Sequence, residues 1–397
     1  MKTTPQLEDI EDWLIREALG QPDIGQMFVD MCERMLAAGV PVERAMLSWT
    51  TLHPLIEAET AVWLPGAPPE RAQHGHDDQD TEDWLASPIR AMLVARETRL
   101  RRRLTTGNAS DIFPVLARLR REGFTDYLIV ATPFHLPSVN EFGTSGIIVS
   151  WATRATHGFS DAAIEQIDYL QMRLALAARA NIQSRIATTL AETYLGRRAG
   201  AQVLSGRIRH GDGEAIDAVI FYSDLRGSTA LADRLPPDAY LAHLNAYFDA
   251  AAGAVMAQDG EVLDFIGDAV LAVFPIGTEG IAGAARRALT AAEVVRHRLA
   301  ARQPHTPHPL TCGIALSAGE VTFGNIGVAD RLTFSVIGRT VNAAARIEGM
   351  TKRLTRPVLV TQEIAQAVPE VAFDALGRFA LDGFDAPVAL YAPRADS

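Results

Sequence analysis

The chain is expected to be an α+β protein of two domains. Three observations lead there. Its 397 residues exceed what one ordinary core organises. Apolar runs of strand length alternate with helical-period segments in both halves. A helical-period stretch of about 30 residues, from Ser160 to near Leu195, separates the halves. The composition is globular, 48% hydrophobic and 21% charged. The net charge of -11 gives no steering toward nucleic acid or anionic lipid, so neither is expected as a partner.

The N-terminal elements follow in order. Residues 9–38 form an apolar stripe through Ile10, Trp13, Leu14, Leu19, Met27, Met31 and Met35, which predicts helix. Residues 44–50 and 59–64 have strand character. His74-Gly-His-Asp-Asp-Gln-Asp80 is polar and predicts an exposed loop. Metal binding through His74, His76 and Asp77 is the alternative, but no ligand geometry is fixed there. The run Arg101, Arg102, Arg103 predicts a solvated helix end. Residues 111–121 predict a helix, and Tyr127–Pro133 and Gly146–Ala152 predict strands. The segments GFTDYLIVATPF, GIIVSWAT and GFSDAAIEQIDYL resemble a GAF-like domain over residues 1–160, which implies a regulatory domain with an unknown ligand.

Ser160 is the expected N-cap of the long helix, through which Ile164, Ile167, Leu170, Leu174, Ile182, Ile186 and Leu190 recur. A signalling coiled coil between paired domains and a helix packed along its own domain are both open. Glycines and charges over 196–213 predict a hinge, so residues 161–211 form the connecting segment.

The second domain, 212–397, begins with an apolar strand at Ala215–Tyr222. A helix in two parts follows, starting at Ser228 or Thr229 and resuming near Asp238 after Pro236 and Pro237. Glu261–Ile266, Gly267-Asp268 and Ala269–Phe274 form a hairpin. A helix over 279–302, a strand at Leu310–Leu316, a helix at Val341–Met350 and short strands at Val358–Thr361 and Ala386–Tyr391 complete it. There is no G-x-G-x-x-G, so a doubly wound dinucleotide fold is excluded.

Asp224 ends an apolar strand in VIFYSDLRGST, and Asp268 sits in the hairpin turn of GEVLDFIGDAVLAVF. A carboxylate directly after a buried strand is costly unless bound or paired. Two such carboxylates side by side suit hard divalent cations. Arg226, Gly227, Ser228 and Thr229 lead into a helix whose free N–H groups can cradle phosphate. Together they point to phosphoryl chemistry. A polymerase-like palm shares the paired carboxylates, but no basic nucleic-acid patch accompanies them here.

The blocks YSDLRGSTALADRL, FIGDAVLAVF, GIALSAGEVTFGNIG and FSVIGRTVNAAARIE resemble the signature blocks of the class III adenylate/guanylate cyclase family, in family order. The resemblance implies a ferredoxin-like α/β sandwich acting as a homodimer with composite sites. It implies two Mg²⁺ or Mn²⁺ per active site, held by Asp224, Asp268 and the Leu225 carbonyl. Asn342 and Arg346, at i and i+4, would come from the partner subunit to orient the ribose and neutralise the α-phosphate.

The base-reading positions implied are Asp264 and Ser335. An ionised Asp accepts only, which favours the N–H donors of guanine over adenine N1. ATP and GTP both stay open, and a pyrimidine nucleotide is a further alternative. Asp382 stands where the family places a Lys, with Arg378 as a possible substitute. A catalytically silent nucleotide-binding module is therefore the alternative from another class. The polar, acidic start of the chain and the lack of a long apolar run predict a cytoplasmic protein with no membrane span.

Overall fold

The computed structural model describes residues 4–20, 22–105, 113–135, 145–209, 211, 213–302, 308–328 and 331–394. The expected helix start at residues 111 and 112 and the expected domain start at 212 lie outside them. The chain divides into two compact units, Met1–Leu190 and Ala191–Ser397.

The first unit contains α1 (Pro5–Ala18), α2 (Ile24–Ala37), β1 (Arg44–Thr50), β2 (Ile56–Trp63), β3 (Glu70–Gly75), α3 (Glu82–Leu85), α4 (Pro88–Val94), β4 (Arg99–Arg103), α5 (Pro114–Arg121), β5 (Asp126–Phe134), β6 (Ser145–Thr153) and most of α6 (Asp161–Leu195). The strands form one antiparallel sheet in the order β3-β2-β1-β6-β5-β4. Strand alternation gives it two buried faces. Ala45, Leu47 and Trp49 of β1 pack with α1, α2 and α6. Tyr127 and Ile129 of β5 pack with α4 and α5 on the other side.

α6 starts where Ser160 Oγ accepts from the Ala163 N–H (3.2 Å). From Ala163 to Ile182 it lies in the core of its own unit, and Gln171 accepts from Trp151 Nε1 (3.0 Å). Packing along its own domain therefore describes this part of the helix.

Arg101–Arg103 is not a helix end but the edge strand β4. Its charges are used inward: Arg101 Nη2 donates to the fully buried Asp126 at 2.6 Å, and Arg103 lies 3.6 Å from the same carboxylate. His74 Nε2 lies 3.1 Å from Thr60 Oγ1, and His76 Nε2 donates to the His53 carbonyl (3.0 Å). Among the described residues no group of three His, Cys, Asp or Glu is placed to hold a metal.

The second unit contains α7 (Arg197–Leu204), β7 (Gly213–Leu225), α8 (Ser228–Ala232), α9 (Pro237–Ala257), β8 (Glu261–Ile266), β9 (Ala269–Pro275), α10 (Gly280–Arg302), β10 (Cys312–Val328), β11 (Arg331–Ile337), α11 (Arg339–Arg353), β12 (Val358–Thr361), α12 (Gln362–Ala367), β13 (Phe373–Phe379) and β14 (Val388–Pro393). The expected hinge at 196–213 thus holds a helix. Gly200 of α7 sits so close to the backbone of Ala191 that an added Cβ would lie 2.9 Å from its carbonyl carbon.

The sheet order is β13-β14-β12-β10-β7-β9-β8, with β11 paired to the far end of β10. β12 runs parallel to β10, and β7 lies antiparallel between β10 and β9. Val219, Phe221 and Leu225 of β7 face α9, α10 and α12. Ala218 and Ile220 face the opposite side, with α7, β11 and Ala344 of α11. This is a sheet covered on both faces, the sandwich that the signature blocks imply. Among the described residues no helix is long and apolar enough to cross a membrane.

Candidate active site

Period-two alternation along β7 puts Ala218, Ile220, Tyr222 and Asp224 on one face of the sheet, the face that carries α11. Asp224 pairs in register with Gly313 of β10 on one side and Ala269 of β9 on the other. Asp268 precedes β9 in the β8–β9 turn, where Gly267 takes φ 64°. The turn is tied to β7 by the Leu225 N–H, which donates to the Asp268 carbonyl (3.3 Å). The Asp224 carboxyl stands close enough to Asp268 to feel its charge. Burial, and then the charge of Asp268, push the Asp224 carboxyl above its ordinary value, and Arg226 only partly offsets them.

Two half-buried carboxylates, with the backbone carbonyl of Leu225 next in the chain after Asp224, form a hard oxygen donor set. Their mutual repulsion is what a bound cation would relieve. Asp224, Leu225 and Asp268 therefore fit one or more divalent ions such as Mg²⁺ or Mn²⁺.

Gly227 adopts φ 71° and caps α8. The first-turn N–H groups of Ser228 and Thr229 have no intrahelical acceptor. Arg226 differs from its neighbours. Its N–H donates to the Thr311 carbonyl (2.8 Å), and its guanidinium is bonded to Thr351 and lies 3.4 Å from Glu348.

On α11, Ala343, Ala344, Ile347, Glu348, Met350 and Thr351 are buried, whereas Asn342 and Arg346 are exposed. Among the described residues neither exposed side chain has a hydrogen-bond or ion-pair partner. Asp264 lies in β8 beside a register irregularity, and Ser335 lies in β11 opposite Gly324. β8 and β11 are not paired in the sheet but touch one another, their neighbours Leu263, Phe334 and Val336 sharing one core cluster, and Asp264 and Ser335 are both half-buried. Arg378 Nη2 donates to the Pro387 carbonyl (2.8 Å), and Asp382 is exposed in the turn between β13 and β14.

Two features near the carboxylates escaped the sequence. Tyr247 Oη and Ser223 Oγ meet at 2.7 Å beneath the strand end, a buried pair on the opposite face from Asp224. Glu348 is a third carboxyl close enough to feel Asp224 and Asp268. Burial raises its pKa most, the charge of Arg226 opposes it, and Asp224 and, more weakly, Asp268 add to the rise. The available signal was a carboxylate and a threonine on the apolar stripe of α11.

The family model of the adenylate and guanylate cyclase catalytic domain matches residues 213–392. An uncharacterized protein of Mycobacterium tuberculosis (strain CDC 1551 / Oshkosh) is 31% identical over 210 residues, 50% of this chain and 35% of its own length. The chain thus spans about a third of the curated relatives it matches. The adenylyl cyclase CyaB from P. aeruginosa is similar at 26% identity, with 47% of this chain and 97% of that one covered and a TM-score of 0.42. The guanylate cyclase domain of RhGC from Catenaria anguillulae, solved with GTP, is similar at 20% identity, with 46% and 100% covered and a TM-score of 0.41. The C-terminal unit is an adenylate and guanylate cyclase catalytic domain, carried by residues 213–392.

Proposed function

We propose that the chain converts GTP or ATP to the 3',5'-cyclic nucleotide and pyrophosphate, at sites completed by a second copy of itself. The observation that carries this is the division of the chemistry within one copy. A repelling carboxylate pair sits at the β7 end, while Asn342 and Arg346 stand exposed on α11 with no partner among the described residues.

The ribose 3'-oxygen forms the new bond to the α-phosphorus. The bond from the α-phosphorus to the bridging oxygen breaks, pyrophosphate leaves, and the hydroxyl proton passes to solvent. Cations held by Asp224, Leu225 and Asp268 would supply Lewis acidity at the hydroxyl and the triphosphate. Asn342 of the second copy orients the ribose. Arg346 places an always-charged planar donor against the charge growing on the α-phosphate. The α8 N-terminus, from Gly227 to Thr229, faces phosphate with backbone N–H groups. Asp264 and Ser335 read the base, and the acceptor-only carboxylate favours guanine.

The first unit is proposed as a GAF-like regulatory domain acting on the cytoplasmic enzyme through α6. It contains a 760 Å³ cavity in which Asn181, Ser184 and Arg185 of α6 face Trp49, Glu59 and Gln73 of the sheet. That volume is in the range of small-molecule sites.

The test is product analysis with ATP, GTP, CTP and UTP, each with Mn²⁺ and Mg²⁺. It is followed by mixing of Asp224→Ala and Arg346→Ala copies, each inactive alone. A cyclic product, and recovery of up to about a quarter of wild-type activity in a statistical mixture, are expected if one composite site forms per mixed dimer. Nucleotide binding with no product from any of the four would identify a silent module instead. Product without recovery in confirmed mixed dimers would overturn the shared site.

A further inference from the structure

Arg226 stands two residues beyond Asp224, where contact with phosphate was the expectation. Its side chain turns onto α11 instead. Nη2 donates to Thr351 Oγ1 and lies 3.4 Å from Glu348 Oε1. Thr351 Oγ1 is in turn 3.2 Å from the same carboxylate oxygen. Glu348 and Thr351 are both buried.

The three tips converge over Gly313. A Cβ built there would lie 2.2 Å from Glu348 Oε1, 2.3 Å from Arg226 Nη2 and 2.3 Å from Thr351 Oγ1. Gly313 is also the residue paired across the ladder with Asp224. The cluster therefore rests on the backbone directly beside the carboxylate. Along α11, Glu348 follows Arg346 by two residues, about 200° of helical rotation. The helix thus shows Glu348 to the sheet and Arg346 to solvent.

We propose that Arg226 is a positioning residue which, through Glu348 and Thr351, fixes α11 and its Asn342 and Arg346 to the strand end that carries Asp224. The inference rests on the shared-site reading above. In a pair of identical copies, the carboxylates of one copy work with α11 of the other. The tie then joins the carboxylate half of one active site to the transition-state half of the second. A disturbance at one site reaches the other through a single guanidinium.

The test uses full-length chains with distinguishable tags. One copy carries Arg346→Ala and the other Asp224→Ala, which leaves one complete site per mixed dimer. Arg226→Met is then added to the Asp224→Ala copy, whose own carboxylate half is already dead and which lends only α11 to the live site. Positioning predicts that kcat falls at least about tenfold with KM within about threefold, and that Arg226→Lys restores part of the loss. A direct phosphate contact predicts no change in this arrangement, and that result would overturn the proposal.

A second readout needs no turnover. In the Arg226→Met chain, amide exchange over residues 339–353 should quicken at least about tenfold while residues 269–275 stay protected. Gly313→Ala, which leaves Arg226 intact but displaces the three tips, should quicken the same helix. Unchanged exchange of α11 in both variants overturns the tie whatever the activity. A parent pair that makes no product defeats the shared-site reading, and the exchange data then decide the tie by themselves.

Discussion

Replacing Asp224 with Asn should destroy turnover and raise the melting temperature of the cation-free protein. Asp224 and Asp268 repel, and Asp224 is half-buried with its carboxyl pushed up by burial and by that neighbour. Two unit charges about 4 Å apart interact by about 4 kcal/mol at an effective dielectric of ~20 and about 1 kcal/mol in water. With solvent reaching the pair, screening leaves roughly 1 to 2 kcal/mol. In a domain of this size each kcal/mol moves the midpoint by about 2 to 4 °C. The Asn variant should therefore melt about 2 to 8 °C higher in EDTA at pH 8. Added Mn²⁺ should reverse the order. At a hundred times its Kd a ligand adds about 2.7 kcal/mol to the chain that binds it, and the variant should gain little. Thermal scans of both full-length proteins, with EDTA and with a Mn²⁺ series, give the answer. A variant that melts lower in EDTA, or that gains as much from Mn²⁺ as wild type, would refute the argument from charge repulsion.

Two further outcomes follow from the same geometry. Asp264→Lys with Ser335→Asp replaces an acceptor by a donor at the base, and should move the ATP-to-GTP ratio of kcat/KM upward by at least about tenfold; competition between the two nucleotides reads it, and an unchanged ratio removes Asp264 and Ser335 from base recognition. In the first unit, burial raises the pKa of Glu59, but Arg185 (2.8 Å) and Gln73 (3.0 Å) outweigh it and hold the carboxyl below its ordinary 4.5. A depressed folded value means this stabilisation is fully present above pH 4.5 and is lost as pH falls through the lower folded value. Glu59→Gln should thus cost most stability at pH 7 and progressively less as acid protonates the wild-type carboxyl, and a cost that does not change with pH would show that the charge is not what holds α6 to β2.

The paired carboxylates were legible because cost announces them: a charge at the end of an apolar strand has few bland explanations. The hairpin was legible from Gly267-Asp268 between two apolar runs. Non-local compensation was what hid the rest. Arg101–Arg103 sits between Leu100 and Leu104 with no visible period, and it forms a strand because Asp126, on the neighbouring strand, absorbs its charge. α7 was hidden by its glycines, since Gly200 breaks a helical pattern in sequence while its close packing against Ala191 sustains the helix in space. Beyond Leu316, β10 continues through Ser317, Gly319 and Glu320, where pairing with β7 decides the conformation and side-chain period does not. Arg226 shows the same limit at the site. Its place beside Asp224 suggested phosphate, and only the fold reveals that Glu348, 122 positions later, is within its reach.

The exposure of Asn342 and Arg346 bears on how such a gene would age. Neither side chain carries folding load in its own subunit, and Asp224 burdens the fold that carries it. After a duplication, drift at all three positions would leave the copy as stable as its parent or more so, and would not by itself be removed by proteolysis or aggregation. Catalysis is therefore the first property a redundant copy sheds, while its shape persists. A lineage of relatives with intact cores and scattered replacements at these three positions would be the expected fossil record.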